Sequence, residues 1–287
     1  MSVAIVTDST AYLPAELVRD GSVPITVVPL HVIVGGRQHR EGVDVTIESL
    51  SEALQSFTPL STSRPSPQEF LDAYEAAAAS GASSVVSIHI SSEMSGTCQS
   101  ARLAAEQSPI PVEVVDSRSL GMAMGFGVLS AASAAGEGRS AAEVAEVARA
   151  RAVGAKVAFY VDTLEYLRRG GRIGSASALL GSAFAIKPIL TLVDGAIRPL
   201  EKVRTSSRAL ARLADLTAAA ASGMASAGGV DIAVQHLNSA SRAESLAATL
   251  RERVPHAGLV VVAELGAVVG THVGPGTLAA VASPRPQ

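Results

Sequence analysis

The sequence predicts an α/β fold. Short aliphatic runs of strand length recur along it, alanine-rich helical stretches separate most of them, and hydroxyl-bearing residues gather where runs give way to helices. Such alternation favours parallel βαβ units, and open α/β sheets bind ligands at the carboxyl ends of their strands. At 287 residues the chain can build one large domain or two medium ones with buried cores. Aromatics are only 3% and Trp is absent, against 48% hydrophobic residues, so the core must be aliphatic and close-packed.

In chain order, strands are expected at Val3–Thr7, Thr26–Val34, Val85–Ile90, Val112–Val115, Val157–Val161, Pro188–Val193, Ala196–Val203, Asp231–His236 and Leu259–Ala263. Pro14–Arg19 reads as a short helix after the Asp8-Ser9-Thr10 turn. Ser66, Pro67 and Glu69 carry the residues of a capping box that opens a helix. Further helices are expected from Cys98, over Leu120–Ala135 (apolar but too short to span a bilayer, so buried) and over Ser140–Ala152. Gly35-Gly36 and Asp194-Gly195 suit two-residue hairpin turns. Composition shifts between 137 and 156, which places a domain boundary there: 1–153, an N-terminal α/β domain, and 154–287, a C-terminal one. Ser283–Gln287 reads as a frayed tail.

Several function classes are disfavoured. Net charge is −3 with no basic run, which speaks against nucleic acid. The single cysteine, Cys98, cannot form an internal disulfide and fits a reducing compartment. The first ten residues carry an acid and no basic segment, unlike a signal peptide, so a cytoplasmic protein without stable membrane insertion is expected. A P-loop, a complete G-x-G-x-x-G, an H-E-x-x-H and a cysteine cluster are all missing, so neither a bound nucleotide nor a metal is expected as cofactor.

Five stretches could carry chemistry. Asp8-Ser9-Thr10 ends the first aliphatic run, with a turn plus an N-cap before Pro14–Arg19 as the plainer reading. Ser61, Thr62 and Ser63 lie upstream of the Ser66 cap, which does not explain them. Ser91 to Ala101 holds six hydroxyls or thiols in eleven residues, with Ser95 before Gly96 and Thr97 at a helix start. Free N–H groups there, with a hydroxyl beside them, suit an anion. Ser95 as a nucleophile is the alternative, with His272 as base, but Glu93 and Thr97 stand where an elbow has glycines. Tyr166–Gly174 sets three arginines among three glycines, and Arg172 lies outside any helix face. Gly266–Gly276 has four glycines and His272, read as a tight loop presenting an imidazole after the last strand.

Together these residues resemble the DegV family of bacterial fatty-acid-binding proteins along almost the whole chain. The likeness rests on Val6–Thr10, Thr62–Ser66, Ser91-Ser92 with Ser95–Thr97, Val115–Ser117, Leu167–Ile173, Lys187–Ile189 and Gly270–Gly276. The resemblance implies two α/β domains with a long-chain fatty acid in an apolar tunnel near their junction. It implies no catalytic residue in this chain: family members with an assigned role are the acyl-carrier subunit of fatty acid kinase. A separate ATP-binding subunit with a dihydroxyacetone-kinase-like domain phosphorylates the carboxylate, and the acyl-phosphate enters phospholipid synthesis. The fatty-acid carboxylate falls on Thr62, Ser63, Ser95, the Gly96 and Thr97 backbone, and His272 of the second domain. Arg172 matches an arginine tied to kinase docking. Arg64 stands where the family commonly has Gln, and its charge would reach the carboxylate or the kinase subunit. A hydrolase or acyltransferase using Ser95 and His272, or a carrier or sensor of another small carboxylate, are the competing readings.

Overall fold

The structure is a computed structural model that describes residues 2–19, 23–56, 58–179, 187–224 and 228–286. The strands are β1 Val3–Asp8, β2 Ile25–Val28, β3 His31–Val34, β4 Arg37–Arg40, β5 Leu60–Ser63, β6 Ser84–His89, β7 Val112–Asp116, β8 Lys156–Tyr160, β9 Lys187–Val193, β10 Ala196–Val203, β11 Val230–His236, β12 Ala257–Glu264 and β13 Leu278–Pro284. The helices are α1 Ala15–Arg19, α2 Ile47–Gln55, α3 Pro67–Ala79, α4 Thr97–Ala105, α5 Gly121–Gly136, α6 Ala141–Gly154, α7 Glu165–Arg169, α8 Ser206–Met224, α9 Ala240–Arg253 and α10 Ala267–Val273. Among the described residues no helix is long and apolar enough to cross a membrane.

Three sheets organise the molecule. The first is parallel, in the order β2-β1-β6-β7. Its central strands are buried on both faces, as the near-continuous aliphatic runs require. Phe70, Tyr74, Ala101 and Ala104 of α3 and α4 cover one face, and Met124, Val128, Val144 and Ala148 of α5 and α6 cover the other. The Ser66 capping box forms as expected, and Ser140 with Glu143 makes a second one at the start of α6.

The second sheet has the order β10-β9-β8-β13-β11-β12 and departs from the parallel expectation: only β11 and β12 run parallel. The cause is β13. The chain end does not fray at Ser283 but returns between β8 and β11, where Ser283 is fully buried and Arg285 pairs with Asp231. Leu259–Ala263 is therefore not the last strand. One face of this sheet packs on α8 and α9 through Ala209, Leu213, Leu246 and Leu250. The other takes Met122, Ala123 and Phe126 of α5 against Ala233, Ala263 and Val281.

Helix α5 thus sits between the two large sheets. Its glycines permit this: a Cβ at Gly125 would lie 2.9 Å from the Ala11 carbonyl, and one at Gly127 2.8 Å from that of Ala148. A buried ion pair locks the same junction. Arg151 of α6 donates to Asp231 of β11 and, through Nε, to Ser283 Oγ at 3.3 Å, with its guanidinium over the Phe126 ring. Breaking such a pair by removing one partner costs about 3–5 kcal/mol.

The third sheet, β4-β3-β5, is small and antiparallel. The expected strand 26–34 is split at Pro29 and Leu30, so β2 joins the first sheet and β3 the third. Gly35 and Gly36 turn β3 into β4 with φ of 56° and 85°, and Asp194 and Gly195 turn β9 into β10 with 52° and 81°; both pairs occupy the left-handed region a two-residue hairpin demands. Leu30, Val32 and Leu50 seat this small sheet and α2 on Ala267 and Val268 of α10.

Candidate functional site

The ends of β5 and β6 and the last turn of α10 converge on one narrow cavity. It is a mainly apolar channel with a cavity volume of about 110 Å³. Leu120, Phe159, Leu192, Ile197, Leu265 and Val269 are among the apolar residues of its wall, and Thr62, Ser63, Arg64, Ser95, Arg172 and His272 supply polar groups. The wall is largely the face of the second sheet that α5 leaves uncovered: Phe159, Ala279 and Gln235 stand in register across β8, β13 and β11.

His272 is not on a loop. The stretch read as a glycine-rich loop forms α10, and the imidazole projects from its last turn. Its Nε2 lies 2.8 Å from Thr62 Oγ1 of β5. Its Nδ1 is buried, has no partner and faces Gly170, where a Cβ would come within 2.0 Å of it. Burial, and then the charge of Arg172, pull the imidazole down to about 4, so the ring is neutral at pH 7. A neutral ring with an unpartnered Nδ1 is best served by the Nε2–H tautomer, assigned here from the hydrogen-bond network. Nε2–H then donates to Thr62 Oγ1, and the Thr62 hydroxyl hydrogen is free to donate into the cavity. The imidazole orients the threonine and contributes no positive charge.

A second network fixes α10 at its other end. Glu41 Oε1 accepts the Val268 N–H at 2.7 Å and the Tyr12 hydroxyl at 3.1 Å, and Oε2 accepts the Ser9 hydroxyl at 2.5 Å. Tyr12 Oη accepts the Val269 N–H at 3.2 Å. A carboxylate at a helix N-terminus is favourably placed, although burial still raises the Glu41 carboxyl above its ordinary range. Sequence reasoning missed Glu41 and Tyr12. Ser9, in the Asp8-Ser9-Thr10 stretch, is the one local signal.

The Ser95 loop is equally constrained. Met94 and Ser95 both donate their N–H to Ser91 O, at 3.0 and 3.1 Å. Ser95 Oγ pairs with Thr97 Oγ1 at 2.8 Å. Ser95 lines the cavity while Thr97 is fully buried behind it. Gly96 does not face the cavity as an open backbone surface, because the Arg64 guanidinium lies on it: a Cβ there would be 2.0 Å from Nη1. Arg64 donates to Gln99 Oε1 at 3.1 Å. So Thr62, Ser63, Ser95 and His272 come together at the cavity, and Gly96 and Thr97 stand behind them. Ser95 bonds Thr97 and His272 bonds Thr62, so the serine–histidine relay of a hydrolase is not formed. Cys98 is fully buried, and burial pushes its thiol up to about 12.

Arg172 bridges the two halves of the mouth. Its Nε donates to Met94 O at 3.1 Å and its Nη1 to Gly170 O at 2.7 Å. The acid ending β1 is structural: Asp8 accepts from Thr10 N–H, Ile90 N–H and His89 Nδ1 at 3.0, 2.9 and 3.1 Å. Among the described residues no group of acids, histidines and cysteines could hold a metal ion. Chemically, the arrangement is a greasy channel whose mouth offers neutral hydroxyl donors under two arginines.

Comparison with known proteins agrees with this fold. The model of the DegV family matches residues 2–285. A DegV domain-containing protein of Streptomyces coelicolor is 51% identical over 99% of both chains. The DegV family protein of Thermus thermophilus, whose structure is described as fatty acid binding, superposes with a TM-score of 0.89 at 33% identity, covering 99% of this chain and 100% of that one. DegV of Bacillus subtilis, described as a fatty acid binding protein, gives 0.87 at 32% with the same coverage. With the cavity, its hydroxyl-lined mouth and the sheet order in place, the chain belongs to the DegV family.

Proposed function

We propose that this protein binds a long-chain fatty acid, tail in the channel and carboxylate at Thr62 and Ser95, and presents the carboxylate to a separate kinase subunit. The narrow apolar channel ending in neutral donors is the observation that carries this reading. Burying a chain of about sixteen carbons at ~0.8 kcal/mol per methylene supplies roughly 10 kcal/mol gross, before the cost of association. A carboxylate in that setting must be hydrogen-bonded, and the two hydroxyls offer the donors. Residues 1–153 supply the carboxylate loops, and residues 154–287 cover the chain.

In this reading the protein catalyses nothing itself. The partner is a cytoplasmic ATP-binding subunit with a dihydroxyacetone-kinase-like domain, and the acyl-phosphate it makes feeds phospholipid synthesis. Arg172 and Arg64, both exposed at the mouth, are its contact points. Native mass spectrometry of the purified protein tests the first half: a stoichiometric fatty-acid adduct is expected, and a protein that is bare and stays bare after incubation with fatty acids overturns it. Arg172→Ala tests the second half. Lipid occupancy should persist while acyl-phosphate formation falls at least tenfold; a variant that sheds its lipid would instead make Arg172 part of the binding site.

A further inference from the structure

The channel wall holds polar groups that the carboxylate grip does not use, and one of them is without a partner. Gln235 lines the cavity from β11 and is only 3% exposed. Its Oε1 accepts the Met122 N–H at 2.9 Å, at the start of α5, where Leu120 provides no side-chain cap. Gly121 leaves room for the same oxygen, since a Cβ there would lie 2.4 Å from it. The amide cannot be flipped, because that would set N–H against N–H. Its Nε2 is therefore fixed as a donor, and it is buried without a partner. The other polar group nearby, Thr277, is used up: its hydroxyl donates to Gly274 O at 2.8 Å.

Capping α5 explains the oxygen of Gln235 and leaves the nitrogen unexplained. An unpaired buried donor is costly, and a saturated chain drawn past it strips any water from the amide and returns nothing. We propose that Gln235 is a specificity-determining residue, and that the preferred ligand is an acyl chain bearing an oxygen acceptor, a hydroxyl or oxo group, at the depth of this amide. The inference rests on the fatty-acid reading and deepens it. A cis double bond offers only a weak N–H···π contact, so unsaturation alone should gain less than oxygen.

The test is displacement of a fluorescent fatty acid by stearate, by hydroxystearates and oxostearates substituted at successive carbons, and by cis-octadecenoates, on the wild type and on Gln235→Met. One substitution position should stand out in the wild type. There the ratio of hydroxystearate to stearate affinity should drop at least tenfold in Gln235→Met, equivalent to about 1.4 kcal/mol, while ratios at other positions stay put. A purely structural role would weaken all ligands together and leave every ratio unchanged, which overturns the proposal. So does a wild-type profile with no favoured position, or one in which octadecenoates surpass every oxygenated chain. Should Gln235→Met fail to fold, the wild-type profile alone decides. If no chain of any kind displaces the probe, the fatty-acid reading falls as well.

Discussion

The two ends of the channel are built by opposite means. At the mouth, Thr62 and Ser95 are short side chains on the tips of strand and loop, each held by one hydroxyl or imidazole neighbour. Along the wall, Phe159, Ala279 and Leu192 belong to a sheet whose far face is fully packed on α8 and α9. The mouth fixes direction through a few hydrogen bonds worth about 1 kcal/mol each. The wall holds the ligand through area. Grip and orientation are therefore separable, and mutations at the two ends should differ in size and in kind.

The largest effect should come from filling the wall. Ala279 is 8% exposed and sits between Phe159 and Gln235 in the sheet register. Ala279→Trp places an indole where several methylenes of the tail would lie. Displacing four of them forfeits roughly 3 kcal/mol, or at least a hundredfold in affinity, with an overpacking cost of about 1–3 kcal/mol in stability. Thermal unfolding together with lipid titration checks this. A folded Ala279→Trp protein that retains full occupancy would show that the ligand lies elsewhere.

What the sequence disclosed and what it hid follow the same division. The parallel sheet was legible because its strands are covered on both sides and read as aliphatic runs, and because Ser66 with Glu69 and the paired turn residues encode local geometry. The mouth was legible because Ser61–Ser63 and Ser91–Thr97 exceed what capping requires. The wall was not. β13 is an alanine-rich segment that gains its meaning only between β8 and β11, more than a hundred and more than forty positions away along the chain, and periodicity carries no trace of such pairing. β4 and β5 are polar and owe their strand form to each other through β3. Glu41 lies between exposed residues in the chain, yet it is 5% exposed, because α10 closes over it. His272 was visible as a residue, but its neutrality depends on burial that no local pattern announces.

At the mouth the effects should be smaller and unequal. Ser95→Ala removes one donor and leaves the fold intact; about a tenfold loss of fatty acid retention is expected. Thr62→Val removes a donor and also strands the His272 Nε2–H, so it should cost somewhat more affinity and, in addition, about 1–3 kcal/mol of stability. Exchange of labelled fatty acid and denaturant midpoints measure the two quantities. Equal stability of Thr62→Val and the wild type would refute the Thr62–His272 bond, and unchanged retention in both variants would dismiss the hydroxyl clamp.

The smallest effect expected is none at all, and it discriminates most sharply between a neutral and a cationic His272. With its imidazole drawn down to about 4 by burial and then by Arg172, His272 carries no charge between pH 8 and pH 6, and the fatty-acid carboxylate stays ionised over that interval. Affinity should then be flat within about twofold, as read by equilibrium displacement. If His272 were the counter-charge of the carboxylate, affinity would climb several-fold on acidification from pH 8 to pH 6. Stability should move where affinity does not. The unfolded imidazole takes up a proton near its ordinary 6.5, whereas the folded one resists until about 4. The unfolded state thus binds more protons in that window, and stability falls as pH drops from about 6.5 towards 4. His272→Gln should reduce that slope while keeping a donor for Thr62, the remainder coming from His236, which burial also holds below its ordinary range; a variant whose unfolding midpoint tracks pH as steeply as the wild type places the titrating group elsewhere.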